Sequence, residues 1–189
     1  MGGCGIVGGM KKKPVIVLGI TGSIAAYKAC EIIRGGIKAG WDVSVILTPD
    51  AARFVTATTL RTLSRNPVSM DMFDSPEKWN PGHISLAEAA DVLVIAPCTA
   101  NTLAKIALGL ADNLLTCTAL ATRAPMLIAP AMNDGMWENT VTQQHVATLR
   151  ARSGVTVLSP DTGDLACGTV GKGRLPSPAS ILAAIKKMV

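Results

Sequence analysis

The chain has 189 residues, 49% of them hydrophobic and 16% charged, and its 18 basic and 13 acidic side chains give a formal net charge of +5. That length supports a single domain able to bury roughly 70% of the surface its unfolded chain exposes. The composition excludes a disordered, highly charged chain, a membrane span of about 18 consecutive apolar residues and, at 3% aromatic, a stacking platform for nucleic acid.

The first thirteen residues are expected to form a flexible tail, with Met10 as an alternative start. The tail contains the letters of a GxGxxG fingerprint, from Gly3 to Gly8. That motif holds a pyrophosphate only between a strand and a helix, and no strand precedes it here. Charges that follow the weakly apolar part argue against a signal peptide, and Ile6 stands where myristoylation requires Ser or Thr.

From Pro14 onward, short apolar runs alternate with helical stretches. Residues 15–20 have the pattern of a buried strand and end at Thr21-Gly22-Ser23. A helix follows over 24–39, with Ser23 as its N-cap and Gly40 as its stop. Residues 43–47 form a second strand ended by Thr48-Pro49, and 51–63 a second helix. The stretch 64–82, punctuated by Pro67, Pro76, Pro81 and Gly82, is irregular. Residues 92–96 form a strand stopped by Pro97; helices cover 101–110 and 113–121; 126–129 is a strand stopped by Pro130. A helix over 137–151, a strand over 155–158 stopped by Pro160 and a helix over 178–188 complete the chain.

Strands without polar alternation, separated by helices, predict a parallel sheet covered on both faces. The fold class is therefore α/β: a single doubly wound, mostly parallel sheet, Rossmann-like or flavodoxin-like. In such folds ligands bind beyond the carboxyl ends of the strands. The four small or polar clusters at those ends, Thr21-Gly22-Ser23, Thr48-Pro49, Pro97 to Thr102 and Pro130-Ala131-Met132-Asn133, are expected on one rim.

Each motif has two readings. Thr21-Gly22-Ser23-Ile24 is either an ordinary capped strand-to-helix turn or a phosphate cradle. Pro97 to Thr102 is either a helix start or a wall of hydroxyls and backbone groups for a ring or phosphate. His83 is either structural or catalytic. The segment 163–174 carries four glycines, Cys167, Lys172 and Arg174, a composition that suits neither a helix nor a packed strand. It reads as a mobile flap over a substrate or as a surface loop with an idle thiol. No GxxxxGK[ST] occurs, so a triphosphate P-loop is excluded. Five cysteines, none in a CxxC pair, argue against a disulfide framework or a thiolate metal site and for reduced cytoplasmic thiols; no metal site is expected.

In order along the chain, Gly22-Ser23-Ile24-Ala25-Ala26-Tyr27-Lys28, Gly82-His83-Ile84-Ser85-Leu86, Pro97 to Thr102, Ala111-Asp112-Asn113-Leu114-Leu115, Pro130-Ala131-Met132-Asn133 and Leu165-Ala166-Cys167-Gly168 through Arg174 resemble the homo-oligomeric flavin-containing cysteine decarboxylases. The resemblance covers about residues 14–185. One departure is Cys98, where the family usually has Ala. Many bacterial relatives continue into a synthetase domain, and the end of this chain at Val189 leads to the expectation that the synthetase activity resides elsewhere.

The resemblance implies FMN as cofactor and conversion of 4′-phosphopantothenoylcysteine to 4′-phosphopantetheine in coenzyme A biosynthesis. Oxidation of the thiol-bearing carbon places C=S beside the carbon that loses CO₂, so the resulting anion is an ene-thiolate; a flavin takes the hydride and later returns it. By motif, His83 assists oxidative decarboxylation as base or orienting group, Asn133 holds the substrate carboxylate, and Cys167 donates a proton as the ene-thiol is reduced. FMN is expected at Gly22, Ser23, Ile24, Thr48, Phe54, Thr99, Ala100, Asn101 and Thr102. Substrate is expected at Met132, Asn133, Ala166, Gly168 and Arg174. The family assembles as trimers, often combined into dodecamers, with no nucleic-acid or membrane partner. Two alternatives stand beside this reading: a peptidyl-cysteine decarboxylase forming an aminoenethiol in a modified peptide, and a non-catalytic FMN-binding regulatory protein.

Overall fold

The computed structural model describes residues 12–73, 82–166 and 168–189. Most of the expected tail, and Cys167, lie outside the described residues.

Six parallel strands form the central sheet: β1 (Val15–Ile20), β2 (Asp42–Leu47), β3 (Val68–Ser69), β4 (Val92–Cys98), β5 (Met126–Pro130) and β6 (Val155–Val157). Their spatial order is β3-β2-β1-β4-β5-β6, and every pairing is parallel. The chain order reverses between β1 and β4, the point where such sheets open a crevice beyond their carboxyl ends. The central strands are fully buried, as the continuous apolar runs require.

Helices cover both faces. On one, Ile16, Leu18 and Ile20 of β1 pack with α1 (Ala29–Lys38), α2 (Ala57–Ser64) and α8 (Pro178–Lys186) through Ile33, Leu60, Ile181 and Ile185. On the other, Val17, Leu93, Ile95 and Ile128 pack with α4 (Ala100–Leu108), α5 (Leu114–Ala121) and α7 (Thr140–Arg150) through Leu103, Ile106, Leu115 and Leu149. Each such fully buried side chain contributes about 1.5–3 kcal/mol relative to exposure. α3 (Gly82–Ala89) packs outside this second layer against α5.

Several boundaries differ from the sequence expectation. The helix expected over 24–39 begins as a 3-10 turn, Ile24–Lys28, before α1. Ser23 caps it, its hydroxyl accepting from Ala25 N–H at 3.3 Å. The expected 51–63 helix divides into a 3-10 turn, Ala51–Arg53, and α2, because Thr56 caps a new start by accepting from Thr59 N–H. The expected 137–151 helix divides into α6 (Asp134–Glu138) and α7, because the side chain of Asn139 accepts from Val141 N–H and starts a second helix. Pro97 does not stop β4, which runs on to Cys98; the strand register shifts between Ile95 and Cys98, and such an irregularity tolerates a residue without an N–H.

The largest correction concerns 163–174. Most of it belongs to an antiparallel hairpin of β7 (Asp161–Asp164) and β8 (Val170–Arg174), separate from the main sheet. The glycines are there for close approach. A Cβ on Gly173 would lie 2.1 Å from the carbonyl oxygen of Met132, and one on Gly171 would lie 2.7 Å from the side chain of Asp134. The backbone N–H of Met132 donates to Gly173 O at 3.0 Å, fixing the hairpin to the segment after β5.

Candidate active site at the strand ends

Thr21 ties the crevice together. Its hydroxyl donates to Pro97 O at 2.7 Å and accepts from Thr99 N–H at 3.0 Å, and Thr21 N–H also donates to Pro97 O at 3.3 Å. The residue is 1% exposed. A buried, fully partnered hydroxyl thus fixes the end of β1 against the end of β4. The motif at 97–102 is shaped by that contact and by Thr99, which caps α4 by accepting from Thr102 N–H at 3.4 Å.

A cavity of about 490 Å³ opens over this rim. One wall is Gly22, Ser23 and Ile24, continuing along the 3-10 turn to Tyr27 and Lys28. Thr99 and Ala100 form the floor beyond β4. Met132, Asn133 and Met136 form the wall beyond β5. Asp164, Leu165, Ala166, Gly173 and Arg174 of the hairpin close the far side. A second hollow of about 440 Å³ shares Gly22 and is lined by Asp50, Arg53 and Phe54.

Gly22 is the hinge between the two hollows. A Cβ there would lie 2.5 Å from the Cβ of Asp50, so only glycine lets the turn lie against that loop. Asn133 caps α6, its Oδ1 accepting from Gly135 N–H at 2.9 Å, which fixes the direction of the side-chain amide.

The structure gathers Gly22, Ser23, Ile24, Thr99 and Ala100 with Met132, Asn133, Ala166 and Arg174 around one cavity, and places Phe54 in the adjoining hollow. Other expected site residues stand apart. Thr48 is on the same rim, but its hydroxyl accepts from Ala51 N–H at 3.3 Å and it lines neither hollow. Thr102 is buried behind the floor, where its hydroxyl accepts from Thr99 Oγ1, and Asn101 is exposed on α4. Gly168 is exposed near the hairpin tip and does not line the cavity; Cys167 lies outside the described residues.

His83 is not brought to this cavity. It sits in the first turn of α3, and its Nδ1 is buried without a hydrogen-bond partner. A buried polar atom left unpaired costs about 1–3 kcal/mol. Cys98, the departure from the family's usual alanine, is wholly buried beneath the floor, and burial raises its thiol pKa far above the ordinary range. It is a packing residue. Tyr27, Lys28 and Met136 were not anticipated. Tyr27 and Lys28 lie inside the quoted motif at 22–28 and Met136 follows the one at 130–133, but only the 3-10 turn and the short α6 aim them at the cavity.

The residues present fit a flavin mononucleotide. The Ser23 hydroxyl and a glycine at 22 that admits close approach suit a phosphate. Large apolar side chains left open at the rim, Ile24 at 57%, Tyr27 at 54% and Phe54 at 47% exposure, suit a planar ring system.

Residues 6–189 match the family described as Flavoprotein. The chain is 46% identical over 170 residues to the coenzyme A biosynthesis bifunctional protein CoaBC of Haemophilus influenzae, covering 90% of this chain and 42% of that protein. It is 41% identical over 172 residues to CoaBC of Bacillus subtilis, covering 91% and 42%. The chain thus spans about two-fifths of these curated relatives. Among solved structures, a cysteine-to-serine mutant of PPC decarboxylase complexed with pantothenoylaminoethenethiol superimposes with a TM-score of 0.83 at 35% identity, covering 93% of this chain and 98% of that one. The FMN binding protein AtHal3 gives 0.80 at 36%, covering 93% and 96%.

Proposed function

The chain belongs to the flavoprotein family, and from that premise we propose that it is an FMN-dependent carboxy-lyase converting 4′-phosphopantothenoylcysteine to 4′-phosphopantetheine. One observation carries the reading: the cavity beyond β1, β4 and β5 brings the phosphate-suited turn at Gly22 and Ser23 face to face with Asn133 and the hairpin residues Ala166 and Arg174. The names of relatives, CoaBC and PPC decarboxylase, support the substrate class.

FMN, when bound, supplies a hydride acceptor for the thiol-bearing carbon and returns that hydride at the end. The protein's own residues do the rest. Ser23 donates a hydroxyl hydrogen bond to phosphate, with Gly22 admitting it closely. Asn133 offers the amide Nδ2 as a donor to the substrate carboxylate. A neutral donor orients that group without stabilising its charge as strongly as a cation would, so departure of CO₂ is not opposed. His83 takes the proton from the substrate sulfur as the neighbouring carbon gives up its hydride, its unpartnered Nδ1 marking it as a group awaiting a ligand or neighbour. Cys167 is the proton donor to the ene-thiol. His83 reaches the site from a neighbouring subunit of a trimer, and trimers combine further into dodecamers. The enzyme is cytoplasmic, and a synthetase activity supplies its substrate. Among the described residues no helix is long and apolar enough to cross a membrane.

The test is mass analysis of products from phosphopantothenoylcysteine incubated with purified, FMN-loaded protein. The expected result is a loss of CO₂ with no net oxidation. The Cys167→Ser variant should release CO₂ but accumulate the species two hydrogens poorer. No CO₂ from this substrate, with release from a peptide ending in Cys, would move the assignment to peptide modification. FMN binding with CO₂ from neither would leave a regulatory flavoprotein.

A further inference from the structure

Two cations line the cavity with no ion-pair partner among the described residues. Lys28 ends the 3-10 turn, is half-buried, and makes no hydrogen bond or ion pair to any described residue. Arg174 ends β8 on the facing wall and likewise has no ion pair; its guanidinium rests on Gly163, where a Cβ would lie 2.8 Å from Nη1. Lys105 and Asp112 form the salt bridge found among the described residues, so surface pairing is available elsewhere but not used here. Asp164 is the one carboxylate in the lining, and it is exposed.

From this we infer that Lys28 and Arg174 form a two-sided clamp for the phosphate monoester of the substrate, and that this clamp makes the enzyme selective for phosphorylated over unphosphorylated pantothenoyl-cysteine compounds. The inference rests on the decarboxylase reading for the identity of the ligand. Its physical basis is the division of charge in the cavity. The substrate carries two anionic ends. The neutral amide of Asn133 serves the carboxylate, and the Ser23 hydroxyl and backbone groups at Ser23 and Thr99 serve the cofactor. The two cations stand on separate elements, the 3-10 turn and the hairpin, and close on the space between them. A lysine gives a mobile point charge and an arginine a planar fork, and both suit phosphate oxygens.

The clamp also gives the hairpin a reason to close. A phosphate bridging Lys28 and Arg174 would tie β8 to the 3-10 turn, and the bridge would exist only with a phosphorylated ligand present.

The test compares binding of 4′-phosphopantetheine and pantetheine to the FMN-loaded protein by calorimetry at low and moderate salt. The wild type should bind the phosphorylated compound at least tenfold more tightly, with the preference shrinking as salt rises. Lys28→Met and Arg174→Gln should each reduce that preference about tenfold, the loss falling mainly on the phosphorylated compound; Arg174→Lys should restore part of it. Equal loss of affinity for both compounds would overturn the clamp. So would a wild type indifferent to the phosphate, or a change confined to the FMN-over-riboflavin preference, which would place the cations on the cofactor. The outcome is separable from the proposed reaction: CO₂ release from phosphopantothenoylcysteine with an unchanged phosphate preference in both variants sinks the clamp alone, whereas no CO₂ release sinks the reaction while the binding ratios still judge the clamp.

Discussion

Thr21 carries more of the site than any residue that lines it. Its single hydroxyl serves as donor to Pro97 O and acceptor from Thr99 N–H. Thr21→Val keeps the volume and removes both hydroxyl bonds, leaving Thr99 N–H without its partner while Pro97 O keeps the bond from the residue-21 N–H. The expected cost is about 1–2 kcal/mol, read as a lowered midpoint in urea unfolding, together with weaker FMN retention; Thr21→Ser should recover most of both. Cys98 illustrates the opposite case, a reactive group silenced by its surroundings. Burial raises its pKa, so the thiolate is scarce at any ordinary pH and the sulfur is unreachable. Iodoacetamide at pH 8 should leave Cys98 unmodified in the native protein and modify it in urea, as peptide mass mapping would show. At this scale the sequence was informative about chemistry and poor about direction. Ser23, Thr99 and Asn133 were identifiable because small polar residues directly after apolar runs mark strand ends. Lys28 was not, because where a side chain points depends on whether the turn before it is 3-10 or α, and the residue string does not distinguish these.

Among the elements, the parallel strands were the most legible. Buried on both faces, they must be apolar throughout, and Val15–Ile20 and Val92–Cys98 stand out for that reason. Competing caps blurred the helices: Thr56 and Asn139 each begin a new helix inside a stretch whose composition alone reads as continuous. The hairpin was misread for a different reason. Glycine in a sequence means either freedom or closeness, and only the neighbouring backbone shows which. At Gly173 it means closeness, with Met132 O occupying the space of a side chain. Gly173→Ala should therefore push β8 off the segment after β5. Hydrogen exchange should report it as at least tenfold faster exchange of the Met132 amide, which donates to Gly173 O, with Ile95 in the central sheet unchanged. An unaltered Met132 rate would show that the hairpin is held by other contacts.

At the scale of the whole molecule, one expected site residue stands apart from the cavity. His83 lies on α3, outside the helical layer on one face, while the cavity opens beyond the strand ends with Lys28 and Arg174 on its walls. Large apolar side chains also remain exposed outside the cavity, Leu108 at 65% and Leu120 at 62% among them. Association of copies would cover such side chains and supply the missing imidazole. Native mass spectrometry should find trimers or multiples of three, and mixing His83→Asn chains with Asn133→Asp chains should restore activity that neither variant has alone. A monomer with full activity would refute shared sites. The expectation of trimers came from the family resemblance and not from the residue pattern, since periodicity reports which side of an element is buried but not whether its cover belongs to the same chain.

The β7–β8 ribbon shares no strand pairing with the six-stranded sheet. Its tip can therefore be lengthened, shortened or recoloured in charge without disturbing the framework beneath. A lineage of such proteins can retune which molecule is admitted by editing a dozen residues, and because the proposed proton donor Cys167 belongs to the same stretch, admission and the closing proton transfer are edited together.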